Sequence, residues 1–370
     1  MPRGPGNSSG SPSVSRSLAN CTLTDGCDRF SRSAARVTLR SASSTSSVIS
    51  RFRSSRPKLF MAIPGISEIH FQYTGRDPKL AFSCNGQWRL TMNILLVYAH
   101  PEPRSLNGAI RDFAVERLSQ AGHTVQVSDL YAMRWKAALD AADNLAHRAG
   151  ERFDPSLDSR QAFENGTQSE DIAAEQRKLL WADAVILQFP LWWFSMPAIL
   201  KGWVERVYAY GFAYGVGEHS DARWGDRYGE GTLAGKRAML IVTAGGWEPH
   251  YSARGINGPI EDILFPIHHG ILHYPGFDVL PPYVVYRTGR VDAARFAIIQ
   301  HELGQRLDRL DTTAPIPFRR QNGGDYAIPQ LTLRDDLAPG ETGFGVHVAG
   351  VHEARPPAAS AIGSDAVMTP

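Results

Sequence analysis

The stretch "NILLVYAHPEPRSLNGAIRDFAVERLSQAGHTVQVSDL" (residues 93–130) reads as one strand, one helix and a second strand. The apolar run 93–99 has the length and composition of a buried strand. Residues 106–122 then place apolar side chains at helical spacing and end on a glycine, and 123–130 alternates as a strand does. This succession indicates a βαβ unit and therefore a parallel sheet.

The same alternation continues to about residue 312, after a long polar connection over 132–168. The predicted helices are 169–183, 196–208, about 258–272 and 292–310, and the predicted strands are 184–189, 237–244 and 277–286. Because most of the predicted strands are continuous apolar runs, both faces of the sheet must be covered. The sequence therefore predicts a doubly wound α/β domain over 92–312, with a parallel sheet between two layers of helices.

The charge of the chain divides at Met92. Of its 39 basic and 37 acidic residues, 13 and 4 lie in residues 1–91, so that leader carries +9 and the remainder −7. All three cysteines also lie in the leader, so the predicted domain has no disulfide and no Cys-based metal site. Since the excess of basic over acidic residues belongs to the leader, the sequence gives no indication that the domain binds nucleic acid.

The leader has the composition of a disordered segment, because residues 1–58 are dominated by Ser, Arg, Gly and Pro. Three interpretations remain open: an organellar transit peptide, a basic interaction tail, or upstream sequence translated from a start codon placed too early. The third is favoured, since Met92 directly precedes the first clear strand.

Two further segments follow the domain. Residues 313–355 are rich in Pro and Gly and predict an extended C-terminal arm, and 356–370 predict a frayed tail. No stretch approaches the roughly 18 apolar residues of a membrane-spanning helix, and the N-terminus lacks the apolar region of a secretory signal. We therefore expect a cytoplasmic protein without a membrane span.

The first of three loops that follow strands is "AHPEPRSLN" (99–107). It lacks both common phosphate-loop motifs, yet it places His100, Ser105 and Asn107 at a helix N-terminus, which suits a phosphate group. The alternative is that Ser105 only caps the helix and His100 is a hydrogen-bonded loop histidine.

The second loop contains Trp192, Trp193 and Phe194 at the carboxyl end of a strand, where a planar ligand could rest on them. The alternative is that Trp193 and Phe194 tuck beneath the sheet and Ser195 caps the next helix. Trp203, on that helix, is predicted to lie in the core.

The third loop, "TAGGWEPHYSARGINGP" (243–259), follows another strand. Gly245 and Gly246 permit close approach of a ligand to the backbone, although glycines in a loop also mark turns. Together the three loops predict a floor for a flat aromatic cofactor with a phosphate tail.

Other chemistries have little support in the sequence. The domain has no G-x-S-x-G motif and no cysteine nucleophile. His268, His269 and His273 could suggest a metal, but no H-E-x-x-H motif or carboxylate cluster completes a site, so we expect no metal.

Several of these segments resemble one family, the flavodoxin-like NAD(P)H:quinone oxidoreductases of the DT-diaphorase type, over about 93–318. The similar segments are "SDLYAM" (128–133), "DIAAEQRKL" (171–179), "QFPLWWFSMPAILKGWVERV" (188–207), "GFAY" (211–214), "YSARGINGP" (251–259) and "GILHYPGF" (270–277). The arm, with "PIPFRRQNGGDY", is more similar to bacterial NAD(P)H dehydrogenase (quinone) members.

The resemblance implies a homodimer with shared active sites that binds FAD, with FMN as the alternative flavin. It implies that hydride passes from NAD(P)H to the flavin and then to a quinone, with ping-pong kinetics. It also implies a set of flavin-binding residues: His100, Ser105, Leu106, Asn107, Pro190, Leu191, Trp193, Phe194, Thr243, Ala244, Gly245, Gly246, Tyr251 and Arg295.

The acceptor pocket implied by the resemblance is formed by Trp193, Phe194, Tyr214, Gly245 and Tyr274, with Tyr214 from the other subunit. The implied catalytic pair is Tyr251 and Asn257. Asn257 departs from the family, which has a histidine there, so a titrating Tyr–His relay is not available. Val216 also replaces a tyrosine common in the family, and Asp154 lies near a flavin-contacting glutamine.

A second function remains open from the sequence. A flavodoxin-like electron carrier, or an ancillary flavoprotein that regulates a transporter, would bind flavin and yet turn over quinones negligibly. The elaborate C-terminal arm and the aromatic residues of the pocket favour the enzyme, because a carrier needs only an exposed flavin edge.

Overall fold

The computed structural model describes residues 91–350, and before them only the backbone of four short strands. The chain divides into two units, Met1–Asp77 and Pro78–Pro370. In the first unit, β1 (Leu39–Ser41) pairs antiparallel with β2 (Ile66–Ile69). In the second, β3 (Lys79–Phe82) pairs antiparallel with β4 (Trp88–Thr91). The rest of the predicted leader and the predicted tail 356–370 lie outside the described residues.

Six parallel strands build the main sheet of the second unit. They are β5 (Asn93–Tyr98), β6 (Thr124–Asp129), β7 (Ala184–Pro190), β10 (Arg237–Thr243), β11 (Asp278–Val279) and β12 (Tyr283–Val285). The order across the sheet is β6, β5, β7, β10, and then β11 and β12, which both pair with β10. This 2-1-3-4-5 order is that of the flavodoxin-like fold, so the predicted fold class is confirmed.

Six α-helices, several shorter helical segments and two short hairpins are the other regular elements of the described chain. The helices are α1 (Leu106–Gln120), α2 (Pro155–Asn165), α3 (Glu170–Trp181), α4 (Ala198–Val207), α5 (Ile260–Ile267) and α6 (Ala293–Leu307). The hairpins are β8 (His219–Ser220) with β9 (Arg223–Trp224), and β13 (Tyr326–Ala327) with β14 (Thr332–Leu333). Among these helices none is both long and apolar enough to cross a bilayer.

Two differences from the sequence-based elements concern the last strand of the sheet and the long connection. The predicted strand 277–286 is divided, because Pro281 and Pro282 have no N–H to donate to β10. The connection 132–168 contains α2, which sequence reasoning missed. Its signals were Asp154, whose carboxylate accepts from the backbone of the first turn at 3.0 Å, and Gly166, which ends the helix at φ 67°.

Core side chains cover both faces of the sheet, as the apolar strands predicted. Alternate residues of β5 belong to two separate clusters: Leu95 and Val97 to one, Ile94 and Leu96 to the other. Trp203 is fully buried in the first cluster, and its Nε1 donates to the buried Glu175 Oε2 at 2.9 Å. Its predicted place in the core is confirmed.

The C-terminal arm folds back onto its own unit. Over 313–350 no helix or strand exceeds four residues, and Ile316 N donates to Val279 O at 2.7 Å. Arg319 is buried, with its guanidinium 2.8 Å from Asp325 Oδ2 and 3.0 Å from Val346 O. Because Asp325 and Val346 also belong to the arm, this buried charge holds separate parts of the arm together.

The arm covers a cluster of rings at the end of α5. His269 stacks between Phe265, at 4.7 Å between ring centroids, and Tyr228, at 4.6 Å. His347 and Phe318 of the arm lie 5.7 and 5.2 Å from the same ring. Burial, together with the neighbouring His273 and His347, lowers the pKa of His269 to about 3.

This lowered pKa predicts a loss of stability in weak acid. The unfolded chain takes up a proton at His269 below about pH 6.5, whereas the folded chain does so only near its lowered pKa. Stability should therefore fall as the pH drops from 6.5 towards 3. His269→Phe, which keeps a ring in the stack, should reduce the slope of unfolding free energy against pH by up to about 1.4 kcal/mol per pH unit.

Urea unfolding between pH 7 and 4 measures this slope. Phe265→Leu removes a stacking partner and no histidine, so it should lower stability by a constant amount at every pH. A slope unchanged by His269→Phe would contradict the prediction.

Candidate active site

The three loops predicted to bind a ligand lie at the same edge of the sheet. They follow β5, β7 and β10, which are neighbouring parallel strands and so end on the same side. Because β6 lies on one side of β5 and β7 on the other, the connections leave in opposite directions between β5 and β7. Ligands of open α/β sheets bind at such a switch point.

The first loop is held by Ser105, which caps α1. Its Oγ accepts from Gly108 N at 3.2 Å and lies 3.0 Å from His100 Nδ1. The same Nδ1 accepts from Glu102 N at 3.1 Å. The capping alternative is thus correct for Ser105, and yet Nε2 of His100 keeps no hydrogen bond among the described residues, so it is available to a ligand.

A cleft of about 340 Å³ opens beside this loop, between the first turns of two helices. Ser105 and Leu106 of α1 line one side, and Asp292 and Phe296 of α6 line the other. Arg295 lies on the same turn of α6 and donates from Nη2 to Tyr286 O at 3.0 Å, while its buried Nε has no partner in the described chain. Two helix N-termini and an arginine suit a phosphate-bearing group.

The second loop is a tight turn from Trp192 to Ser195. The two end residues exchange backbone hydrogen bonds of 3.0 Å, and the two central residues have φ of 50° (Trp193) and 61° (Phe194). Positive φ at both central positions defines a type I′ turn, which favours Asn-Gly. Left-handed backbone costs a residue with a Cβ roughly 1–2 kcal/mol.

The aromatic side chains of this turn are exposed. Trp193 is 95% and Phe194 52% accessible, so the alternative in which they tuck beneath the sheet is wrong. Ser195 does not cap α4 either, because Pro197 occupies the N-cap position. Two large exposed rings on a strained turn are a costly arrangement for folding alone, which indicates that they contact a ligand or partner.

Trp192, the first residue of the turn, was not assigned from the sequence. Its ring lies 6.0 Å from that of His100, at an interplanar angle of 53°. The first and second loops therefore contact one another directly.

A buried hydrogen-bond network joins all three strand ends. Thr243 Oγ1, at the end of β10, donates to Asn107 Oδ1 at 3.1 Å. Gln188 Nε2, in β7, donates to Asn107 O at 2.7 Å. Asn107 and Thr243 were predicted to bind the cofactor, and the structure shows that their side chains first hold the loops together.

Sequence reasoning missed Gln188 in this network. Its signal was an amide inside the otherwise apolar run "AVILQF" (184–189). Gln188 is fully buried, and its Oε1 has no hydrogen-bond partner among the described residues.

Backbone groups complete the floor between β7 and β10. Pro190 is the last, buried residue of β7. Leu191 N donates to Thr243 O, and Ala244 N donates to Val285 O, both at 2.8 Å. These bonds place Pro190, Leu191 and Ala244 side by side at the sheet edge, as predicted from their positions after neighbouring strands.

The third loop leaves open space at one glycine and none at the next. A Cβ on Gly245 would meet nothing within 4 Å, whereas one on Gly246 would lie 2.9 Å from the Tyr251 ring. Gly246 is therefore required by the packing of Tyr251, and Gly245 leaves room for a ligand. The ring of Tyr286 lies 5.5 Å from that of Tyr251, and burial, with the nearby carboxylate of Glu248, raises the pKa of Tyr286 to about 12.

Asn257 is positioned by its backbone, whose N–H donates to His250 O at 2.9 Å. Its side chain makes no hydrogen bond within the described residues, to Tyr251 or to any other group. The predicted catalytic pair therefore belongs to one loop without direct contact between its members.

Tyr214 and Tyr274, predicted for the acceptor pocket, lie in other parts of the unit. Tyr214 packs against Tyr210 at 5.1 Å between centroids, and Tyr274 against Tyr228 at 4.9 Å. Neither ring contacts the rings of Trp193, Phe194 or Tyr251 in the described chain.

The histidines considered as metal ligands belong to the ring cluster beneath the arm. His269 and His273 lie 5.6 Å apart between ring centroids. Among the described residues, no group of three His, Cys, Asp or Glu side chains is arranged to hold a metal ion.

Comparisons with known proteins agree with this architecture. Residues 92–309 match the model of a family described as having a flavodoxin-like fold. A ribosyldihydronicotinamide dehydrogenase-like protein of Penicillium crustosum is 57% identical over 260 residues, which are 69% of this chain and 95% of that protein. The rat NAD(P)H dehydrogenase [quinone] 1 is 39% identical over 225 residues, 60% of this chain and 79% of that protein.

A solved structure is also similar. It is that of a Klebsiella pneumoniae protein assigned as a quinone reductase, at 71% identity and a TM-score of 0.69, covering 70% of this chain and all of that one. The chain therefore belongs to the flavodoxin-like NAD(P)H:quinone oxidoreductases, a family of oxidoreductase enzymes.

Substitutions in the strained turn test whether Trp193 and Phe194 serve flavin binding or the stability of the fold. Replacing Trp193 and Phe194 by Asn and Gly supplies residues that adopt type I′ geometry without strain. We expect the double variant Trp193→Asn/Phe194→Gly to unfold at the same temperature as the parent protein or a few degrees higher. The affinity for flavin should fall at least tenfold. It is measured by titration with flavin, and the flavin content of the purified protein is measured by absorbance.

Trp203→Ala is the matched control, because it removes a tryptophan from the core. It should lower the unfolding free energy by about 3–5 kcal/mol, as other large core truncations do. Loss of flavin affinity in Trp203→Ala with stability intact, or full flavin binding by the double variant, would contradict this division.

Proposed function

We propose that this protein transfers hydride from NAD(P)H to a quinone by means of tightly bound FAD. The observation that carries the proposal is that the loops after β5, β7 and β10 lie at one edge of the sheet and offer there, in turn, an open cleft, exposed aromatics and a bare glycine. When bound, the flavin supplies the two-electron relay between a nicotinamide donor and a quinone that use the site in turn.

The residues present fit such a group. His100 and the first turn of α1 offer free donors to a diphosphate, and the cleft towards α6 and Arg295 has room for the rest of a dinucleotide tail. Trp193 and Phe194 provide a wall for a flat ring system, and Gly245 leaves its face uncovered. The volume of this cleft, about 340 Å³, favours FAD over FMN.

Tyr251 is the residue proposed to stabilise the flavin as it is reduced. Its hydroxyl makes no hydrogen bond among the described residues, so it can donate to a flavin carbonyl and stabilise negative charge that develops there. Asn257 can donate a second hydrogen bond, but its amide does not ionise near neutral pH and so cannot serve as a proton relay. The proton that accompanies hydride transfer must then come from water or from the acceptor's own surroundings.

A homodimer completes the proposed site. Trp193, at 95% exposure, is left uncovered by its own chain, and Tyr214 and Tyr274 contact none of the aromatic rings at the sheet edge. A second copy that places Tyr214 and Tyr274 over Trp193 would close the acceptor pocket. A cytoplasmic location remains part of the proposal.

Two measurements test the function. Flavin released by heat and separated by chromatography should be FAD. In anaerobic stopped flow, NADH or NADPH alone should bleach the flavin absorbance, and a quinone added afterwards should restore it without a semiquinone product. The ribosyldihydronicotinamide named for the Penicillium relative is a third donor to compare.

Two different results would contradict the proposed function. Colourless protein that gains no activity with FAD or FMN would overturn the proposal. Flavin that is bound and reduced, and yet is not reoxidised by any quinone, would support an electron carrier instead.

Asn257 gives a prediction about pH. Asn257→His introduces a group that titrates near pH 6.5, so the reductive step should acquire a pH dependence between 5.5 and 7.5. Tyr251→Phe should slow the same step about tenfold or more, because a donor to developing charge is lost. Stopped-flow rates measured across this pH range test both changes, and a parent enzyme that already titrates there would show that another group moves the proton.

A further inference from the structure

One segment of the chain is hydrogen-bonded close to both tyrosines that are predicted for the acceptor pocket. This pocket segment, residues 215–231, contains the hairpin of β8 and β9. Asp226 N donates to Val216 O at 2.8 Å, two residues after Tyr214. Tyr228 N donates to Tyr274 O at 2.9 Å. The residue between these two attachments is Arg227.

Arg227 lies directly beside Tyr274. Its Nη1 donates to the Tyr274 hydroxyl at 3.4 Å, and its guanidinium carbon is 5.8 Å from the centre of that ring. Its Nε donates to Gln321 Oε1 at 2.5 Å. Both partners are neutral.

The nearby carboxylates are occupied by a different arginine. Arg223 Nη2 lies 2.6 Å from Asp226 Oδ1 and 2.7 Å from Glu230 Oε2. Asn322 Nδ2 also donates to Glu230, at 2.8 Å. Arg227 forms no ion pair with any residue that the structure describes, so its guanidinium has no carboxylate in direct contact.

Gln321 fixes the position of Arg227. The Gln321 side chain is only 3% exposed, and its Nε2 donates to Trp224 O at 2.9 Å. That bond orients the amide so that its oxygen faces Arg227. A buried and oriented amide therefore holds a cation next to the predicted pocket, and this amide is supplied by the C-terminal arm.

We propose that Arg227 is an anion subsite of the acceptor pocket. It binds a carboxylate, sulfonate or phosphate oxygen on the molecule that enters beside Tyr274. A guanidinium has five N–H donors, and Gln321 and Tyr274 use two of them, so a bidentate contact remains available. The inference rests on the proposed function, which places Tyr274 in the pocket.

Two molecules can bring such an oxygen to this place. One is a quinone with an acidic substituent, and the other is a nicotinamide donor, whose phosphates have the same chemistry. The subsite is the same in both cases, and the assay separates them.

The experiment compares the parent enzyme with Arg227→Met in four steady-state assays. The acceptors are 1,2-naphthoquinone and its 4-sulfonate, and the donors are NADH and dihydronicotinamide riboside, which has no phosphate. We expect Arg227→Met to lower kcat/KM about 10- to 100-fold for the 4-sulfonate, since hydrogen bonds to charged groups contribute on this scale. For the uncharged 1,2-naphthoquinone, kcat/KM should fall less than about twofold. Arg227→Lys should retain part of the preference.

The donor assays identify the source of the anion. A loss confined to NADH, with the riboside unaffected, would support the subsite and identify the donor phosphate as its ligand. Equal losses with both acceptors and both donors, or no loss at all, would overturn the proposal and leave Arg227 as a support for Tyr274.

Arg148→Met is the matched control, because it removes the same charge from a guanidinium that is 84% exposed. It should leave all four assays unchanged. If the parent enzyme reduces neither quinone, the proposed function fails. The subsite is then tested by calorimetric titration with 2-naphthalenesulfonate, where tighter binding to the parent than to Arg227→Met supports it and equal binding overturns it.

Discussion

The hydrogen bonds of Asn107 hold the candidate site together. Its side chain accepts from Thr243 of β10, and its backbone oxygen accepts from Gln188 of β7, while the residue itself begins α1 after β5. These groups are buried, so breaking one bond leaves an unsatisfied polar atom and costs about 1–3 kcal/mol. The three loops proposed to hold the flavin ring leave from the strand ends that this network joins.

The turn of Trp193 and Phe194 shows how the fold accepts a local cost. Its backbone adopts positive φ without glycine, and its side chains remain exposed. The surrounding strands impose this geometry, because Leu191 N is bonded to Thr243 O immediately before the turn. The backbone is strained here, beside strand ends that are hydrogen-bonded to one another. This pattern is expected where binding, and not folding, selects the residues.

The sequence was sufficient for elements whose signal is local. Strands such as β5 and β7 are continuous apolar runs, and Ser105 and Gly122 mark the ends of α1, so the order of the elements could be predicted. Features that depend on distant contacts could not. The bonds from Gln188 to Asn107 and from Gln321 to Arg227 join residues 81 and 94 positions apart.

Trp193 is proposed to form a wall of the flavin site, whereas Trp203 belongs to the core. Quenching of tryptophan fluorescence during titration of the flavin-free protein with FAD tests this placement directly, because a stacked flavin quenches its nearest indole most strongly. We expect Trp193→Phe to remove most of the quenching and Trp203→Phe to change it little. Quenching that is unchanged in Trp193→Phe and lost in Trp203→Phe would contradict the placement of Trp193 beside the flavin.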